Sequence, residues 1–236
     1  MPDRQNLNVV QNRLLERLSR HDRALLEPDL TAVDLPCRKH LELPNRRIED
    51  VYFIDRGFAS VVAKGPRDFS VEVGLIGREG VTGLAVIMGT DRSPHDTFIQ
   101  RSGAGRRISA SKLRRAMEES VALRLSLLNY AHAFVVQTAQ TAAANACGSI
   151  DERLARWLCM AHDRSDGDDV ALTHEFLSVM LGVRRPGVTL ALELLARVGL
   201  IKMQRSVISI LDRASLETRT HGTYGVPEKE FQRLFG

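Results

Sequence analysis

Cysteine is scarce in this chain: Cys37, Cys147 and Cys159 are the three among 236 residues. Three scattered thiols exclude a disulfide framework and a CxxC metal pair, and they are expected to be reduced and mostly buried. Long apolar runs are also missing. None approaches the roughly 18 residues of a membrane span, and the opening MPDRQNLNVV has no secretory apolar core, so a cytoplasmic protein with no membrane partner is expected. There is no internal repeat and no low-complexity segment. The motifs of hydrolytic and transfer chemistry are absent too: no GxSxG, no P-loop, no HExxH, and no close His/Asp/Cys set around a nucleophile. His95-Asp96 is an isolated pair, not a metal motif. The expectation is a non-enzyme without metal or cofactor.

What is present is ordinary globular composition, 44% hydrophobic and 26% charged, long enough for one large domain or two small ones. A net charge of +4 and a pI near 9.2 favour an anionic partner only mildly. Local clustering says more. Between positions 184 and 205 stand five basic residues, Arg184, Arg185, Arg197, Lys202 and Arg205, against the single acid Glu193. A charge run is usually a solvated face, but on a recognition helix and wing it points to nucleic acid.

Residues 6–27 read as a helical opening with Leu14, Leu15, Leu18, Leu25 and Leu26 apolar. From Leu30 to about Ser109 the texture changes to short strands: VYFID (51–55), FASVVAK (58–64), FSVEVGLI (69–76) and TFIQ (97–100). Turn signals at Pro44-Asn45, Arg56-Gly57, Gly65-Pro66 and Gly103-Ala-Gly105 separate them, as in a sandwich or small barrel. A long helix is expected from about Ser111 to Ala146. Its heptad a positions fall on Val121, Leu128, Val135 and Ala142, and its d positions on Leu125, His132, Ala139 and Ala146. Such a pattern fits a dimer seam; the alternative is a helix buried in its own domain. Two histidines facing each other at position 132 would repel when protonated, although a His bonded to a neighbour at the seam edge explains it more simply. Cys147-Gly148-Ser149 looks like a hinge, and Asp151 can cap the next helix, which carries Trp157.

The most informative stretch is 172–212. Thr173 can cap a first helix with Phe176, Leu177, Met180 and Leu181 at helical spacing. Gly182 allows a sharp turn, and a second helix begins near Arg184 or Arg185, where Pro186 is tolerated. Val188, Leu190, Ala191, Leu194, Leu195 and Val198 are expected as its buried stripe, with Gly199 ending it. Two strands follow, 200–204 and 207–211, with Gln204, Arg205 and Ser206 at the tip. Helix-turn-helix plus hairpin is a winged helix, whose usual work is reading DNA. Asp212 then caps a short helix, and an amphipathic PEKEFQRLFG closes the chain.

In this order of elements, and in RLARWL (153–158), LTHEFLSVMLGVRR (172–185), GLI (199–201), VYFIDRG (51–57) and VEVGLIGREGVTGL (71–84), the chain resembles the Crp/Fnr family of bacterial transcription regulators. The resemblance covers nearly the whole length. It implies an α+β fold with an N-terminal β-roll (a double-stranded β-helix of the cyclic-nucleotide-binding type), a long dimerisation helix and a C-terminal winged helix-turn-helix. The corresponding division is 1–110, 111–147, 148–215 and a tail, 216–236. It also implies a homodimer on a near-palindromic operator in double-stranded DNA, with RNA polymerase as a candidate partner. Arg185 falls where the family often places a guanine-reading arginine. Pro186 replaces a frequent base-reading glutamate and Leu190 a second arginine, so familiar operators are not expected. Arg185 is assigned to base reading, Thr189 to a base or thymine-methyl contact, and Arg184 to phosphate or base. Thr173, Lys202 and Arg205 are assigned to phosphate, against plainer roles as a cap and as solubilising charges.

Relatives that bind cyclic nucleotide use a Gly-Glu pair and a downstream Arg-Ser or Arg-Thr. Here Glu79 precedes Gly80 and Arg92-Ser93 is followed by Pro94, so the cassette is degraded. Glu79, Arg92, Ser93 and, on the long helix, Thr138 are the candidate effector residues. An iron–sulfur sensor would need about four cysteines. A haem sensor would need an axial ligand, for which His21, His40, His95 and Cys37 read better as ordinary residues. The effector is unknown. The competing function is a ligand-binding or protein-interaction module of the same fold, which Pro186 and Leu190 favour.

Overall fold

The computed structural model describes residues 11–65, 69–172 and 174–236. The chain forms two compact units. The first holds the chain up to Val61 and Ile76–Ala133; the second holds Val62–Leu75 and Phe134–Leu234.

The first unit opens on α1 (Arg13–Glu16) and α2 (Arg20–Leu26), a broken version of the single helical opening expected from the sequence. The break has a cause, since Ser19 is extended and caps α2 by accepting from the Asp22 N–H at 3.0 Å. Asn12 caps α1 and is buried, its amide donating to the Ile54 and Gly80 carbonyls at 2.8 Å each. Strands β1 (Thr31–Leu35), β2 (His40–Glu42), β3 (Asp50–Lys64), β4 (Ser70–Ile76) and β5 (Asp96–Ser109) form one sheet in the order β1-β5-β3-β4, with β2 also on β5. The β1–β5 pairing is antiparallel from Thr31↔Arg107 to Leu35↔Gly103. A short helix, α3 (Leu84–Ile87), follows Gly83.

Two expected turns are not turns. Residues 51–55 and 58–64 are one strand, and Gly103-Ala104-Gly105 lies inside β5. Gly57 has φ +76°, and a Cβ there would lie 2.3 Å from the Arg101 carbonyl oxygen; at Gly103 it would lie 1.8 Å from that of Arg56. The two glycines face each other across β3 and β5 and let the backbones approach. They bend a continuous ladder and do not end it.

The long helix is also divided. Ser120 is extended (φ −122°, ψ 113°) and separates α4 (Ala110–Glu119) from α5 (Val121–Cys147). Its hydroxyl donates to Asp22 Oδ1 at 2.5 Å and accepts from the Leu123 N–H at 3.2 Å, a local bond that competes with helix continuation.

The second unit contains α6 (Ile150–His162), β6 (Asp169–Ala171), α7 (His174–Leu181), α8 (Arg185–Arg197), the antiparallel hairpin β7 (Ile201–Gln204) and β8 (Val207–Ile210), α9 (Arg213–Thr218) and α10 (Val226–Phe235). The sheet order is β6-β8-β7. Strand β4 belongs here as well. Gln137 of α5 accepts from the Leu75 N–H at 2.6 Å and donates to its carbonyl at 3.2 Å, while the Trp157 indole N–H donates to Glu72 at 2.6 Å. Cys159 is buried, but Cys37 and Cys147 are exposed, contrary to the expectation of mostly buried thiols. Among the described residues no helix is long and apolar enough to cross a membrane, and no three His, Cys, Asp or Glu side chains group to hold a metal ion.

Gly57→Ala is expected to destabilise the first unit by about 1–3 kcal/mol, because the left-handed backbone and the Arg101 carbonyl both oppose a side chain. Urea unfolding compared with the parent measures it. An unchanged midpoint would refute this account of the strand crossing.

Candidate nucleic-acid interface

The helix-turn-helix segment is framed by α6. From Leu154 to Ala161 every residue of this helix is buried, Arg156 and Trp157 included. Its N-cap is Ser149 and not Asp151: the Ser149 N–H donates to Glu152 Oε2 at 3.0 Å, half of a capping box, while the Ser149 hydroxyl bonds Asp151. Asp151 instead accepts two bonds from Arg219, at 2.9 and 2.5 Å, and the His221 ring nitrogen lies 2.6 Å from Glu152. At the other end Asp163 accepts from Tyr224 at 2.6 Å and from Arg213 at 3.1 Å, and the Arg213 guanidinium sits 4.7 Å over the Tyr224 ring. Between them Arg156 Nε donates to the Thr223 carbonyl at 2.9 Å. The segment after the wing is therefore fastened to both ends of α6. Burial pushes the Cys159 thiol up to about 12 and, with the hydrogen bond to Asp163, raises the Tyr224 phenol. Both groups stay protonated and structural.

Helices α7 and α8 are carried on this frame. Arg153 of α6 donates to the Leu181 carbonyl, which would otherwise be left open at the C-terminal end of α7. Gly182 then turns the chain at φ +59°. Arg184, extended, is the N-cap of α8, and Pro186 sits in its first turn, as expected. A Cβ at Gly187 would lie 2.9 Å from Ile150 Cδ1, so the glycine lets α8 approach α6.

The buried stripe of α8 is Val188, Ala191, Leu192 and Leu195, a strict i, i+3, i+4, i+7 set. Leu190 and Val198, expected in it, are not there: they are 67% and 57% exposed. At 100° per residue Leu190 lies about 200° from Val188, on the far side of the helix. The outward face carries Pro186, Leu190, Glu193 and Arg197, all exposed, with exposed Arg185 and half-buried Thr189 along one edge. The Thr189 hydroxyl donates to the Arg185 carbonyl at 3.2 Å, using its proton within the helix. On the wing, Lys202 and Arg205 are exposed, and the two-residue tip is closed by Ser206 at φ +60°. Thr173 lies outside the described residues. Glu193 and Arg197 are surface-facing groups to which the sequence pattern gave no particular DNA contact, although Arg197 counted in the basic cluster. Their spacing of seven and eleven residues from Pro186 was the available signal.

The candidate effector residues are engaged locally. Glu79 accepts from the Gly77 N–H at 3.2 Å; Arg92 pairs with Asp91 at 3.4 Å; Ser93 bonds the His95 N–H and ring; and Thr138 donates to the Phe134 carbonyl at 3.0 Å. The glycine turn is closely packed, since a Cβ at Gly80 would lie 2.1 Å from Tyr130 Oη. An open groove of ≈ 710 Å³ exists elsewhere in the first unit, lined by Met88, Thr90, Arg114, Arg124 and Leu128 among others, and by none of the four candidates.

A bipartite hairpin-plus-helices unit of this kind is a winged helix-turn-helix. Residues 152–219 match the Crp-like helix-turn-helix domain. No curated protein matches the sequence. Among solved structures the chain is similar to a putative Crp/Fnr transcriptional regulator of Eubacterium rectale, at 18% identity over 89% of this chain and 98% of that one, with a TM-score of 0.70. It is also similar to FixK2 of Bradyrhizobium japonicum, at 16% identity, 80% and 96% coverage and a TM-score of 0.69. The c-di-GMP-responsive global regulator CLP of Xanthomonas campestris follows at 15% identity, 82% and 100% coverage and 0.65. The chain thus has the α+β fold of Crp/Fnr transcription regulators, with a Crp-like helix-turn-helix DNA-binding domain.

The Asp151–Arg219 pair makes a test of the α6 fastening. Burial alone would raise the Asp151 carboxyl, but the Ser149 hydroxyl and Arg219 outweigh it and hold it below the usual range. A depressed carboxylate stabilises the fold above its unfolded value near 4 and loses that contribution as pH falls through the folded value. Arg219→Ala is therefore expected to cost less than about 1 kcal/mol at pH 7, since Arg219 is partly exposed. The difference should shrink from pH 7 to pH 3. Equal differences in urea midpoint at the two pH values would show that Asp151 does not titrate against Arg219.

Proposed function

We propose that this protein is a homodimeric, sequence-specific DNA-binding transcription regulator of the cytoplasm, acting on a near-palindromic operator. The observation that carries the reading is the pair of exposed arginines, Arg184 and Arg185, at the N-terminal end of α8 within the Crp-like helix-turn-helix domain. N-terminal residues of a recognition helix are the ones that reach base edges, and an arginine fork can bond guanine O6 and N7 together. We assign Arg185 to base reading, Arg184 to base or phosphate, Thr189 to a base edge, and Lys202, Arg205 and Thr173 to phosphate. The region 148–215 would read DNA, 111–147 would dimerise, 1–110 would sense, and the tail 216–236 would brace α6. The effector has no assignment, and RNA polymerase remains a candidate partner; we assign no enzymatic step.

Dimerisation draws support from α5. Its buried stripe is Leu123, Leu127, Tyr130, Phe134, Gln137 and Ala144. Two residues earlier, and so on the opposite face, runs the second apolar heptad: Val121, Leu125, Leu128, His132, Val135, Ala139 and Ala142, all exposed. Val121, Leu125 and Val135 are 57%, 54% and 56% exposed. A helix apolar on both faces with one face open is what a subunit seam requires. Val135→Asp is expected to convert a dimer to a folded monomer in sedimentation velocity, with circular dichroism unchanged. A persisting dimer would remove the seam from this face.

The second reading, an interaction module that does not read DNA, is favoured by Leu190, an apolar side chain where a polar reader would stand. Selection of genomic fragments at moderate salt separates the two. Arg185→Ala should lower affinity for a selected fragment by roughly 10- to 100-fold. Log affinity should also fall linearly with log salt concentration. Retention that is unselective in sequence would favour the second reading.

A further inference from the structure

Resting on the DNA-reading assignment above, we propose that Leu190 is a specificity-determining residue that reads the C5-methyl group of a thymine in each operator half-site. A single exposed leucine is unremarkable on a protein surface. Leu190 differs by position: it is 67% exposed, in the second turn of α8, on the face opposite the buried stripe. Pro186, one turn earlier, is exposed on the same face. Neither side chain offers a donor or an acceptor, so together they form a short apolar strip. Thr189 stands at its edge with its hydroxyl proton committed to the Arg185 carbonyl at 3.2 Å. Along α8 exposed Arg184 and Arg185 precede the strip and Arg197 follows it, with Glu193 the one acid of the helix, and the wing adds exposed Lys202 and Arg205. An apolar strip bracketed by cations suits a duplex, whose phosphates neutralise the rim while the groove floor meets the strip.

The chemistry of the groove floor then selects the base. The thymine C5-methyl is the apolar group that an unmodified major groove displays, whereas cytosine and adenine present amino donors and guanine presents acceptors. Covering a methyl with leucine removes apolar surface from water. Covering an amino or carbonyl edge with leucine leaves a polar group unsatisfied. Attraction to thymine and rejection of the other bases therefore act in the same direction. Replacing Leu190 leaves the core intact, because its neighbours on the buried face are Val188, Ala191, Leu192 and Leu195.

The test uses the full-length protein and a duplex selected by it from a random library. Each thymine of the selected site is replaced in turn by deoxyuridine, which removes the methyl and keeps the pairing. Affinity is read by fluorescence anisotropy at fixed salt. For the parent, one position in each half-site is expected to lose about fourfold, the worth of one buried methyl. For Leu190→Ala that loss should vanish at the same position, while the dependence on Arg185 persists. If a site is selected but no deoxyuridine replacement matters, or if Leu190→Ala shows the same loss, the thymine assignment is overturned and DNA reading stands. If no sequence is enriched, DNA reading itself fails and this inference falls with it.

Discussion

The placement of α8 depends on one constraint: α6 has no solvent face along most of its length. From Leu154 to Ala161 it is buried all round, so it can be held only by packing and by satisfying the polar groups it carries inward. Arg156 is the costly one, a guanidinium that burial makes less basic and that finds the Thr223 carbonyl for its Nε. Trp157 solves the same problem with Glu72 of β4. Arg153 turns a similar requirement outward, using its charge on the carbonyl that ends α7. Thus the polar groups of α6 are the joints that fix α7, and through Gly187 the same helix sets the distance of α8.

Helix α5 works under the opposite condition. Its two apolar heptads lie on opposite faces; one is covered and one is open. The open heptad narrows toward alanine at positions 139 and 142, so two such helices could approach more closely at that end than at Val121 and Leu125. The break at Ser120 matters for this geometry. It ends α4, whose Leu113, Ala116 and Met117 are buried in the first unit, and α5 begins anew at Val121.

Periodicity carried most of the fold in the sequence. The helix-turn-helix, the wing, the α5 heptad and the Gly182 and Gly199 turns were legible because each rests on local spacing or on backbone that glycine adopts at little cost. The two mistaken turns have their origin in a contact distant along the chain. Gly57 and Gly103 have the local signature of turns, and only their mutual approach across two strands makes them part of a ladder. Ser120 interrupts a good helix by accepting from the Leu123 N–H, a local bond, while its proton goes to Asp22, far away in sequence. Leu190 counts as core by residue type alone, although its phase relative to Val188 and Leu192 already puts it outside. Hydrophobicity and periodicity conflict there, and periodicity is the better guide. The turn at Gly80 was unreadable for the same kind of reason: Tyr130 packs against it, and neither position announces that contact.

The chain beyond the wing shows where a family pattern stops describing this molecule. The helix-turn-helix match ends at residue 219, yet the polar closure of α6 does not. The ring of His221 meets Glu152, the Thr223 carbonyl accepts from Arg156, and Tyr224 donates to Asp163. Glu228 of α10, raised by burial but favoured as an anion by Arg164 and Arg156, adds negative potential where two cations are buried. Removing this segment would leave charged groups of α6 without their partners, at a cost larger than that of any exposed ion pair. The smallest unit able to hold α8 in place therefore runs from Ser149 to α10, and the tail belongs to the winged-helix domain as much as the wing does.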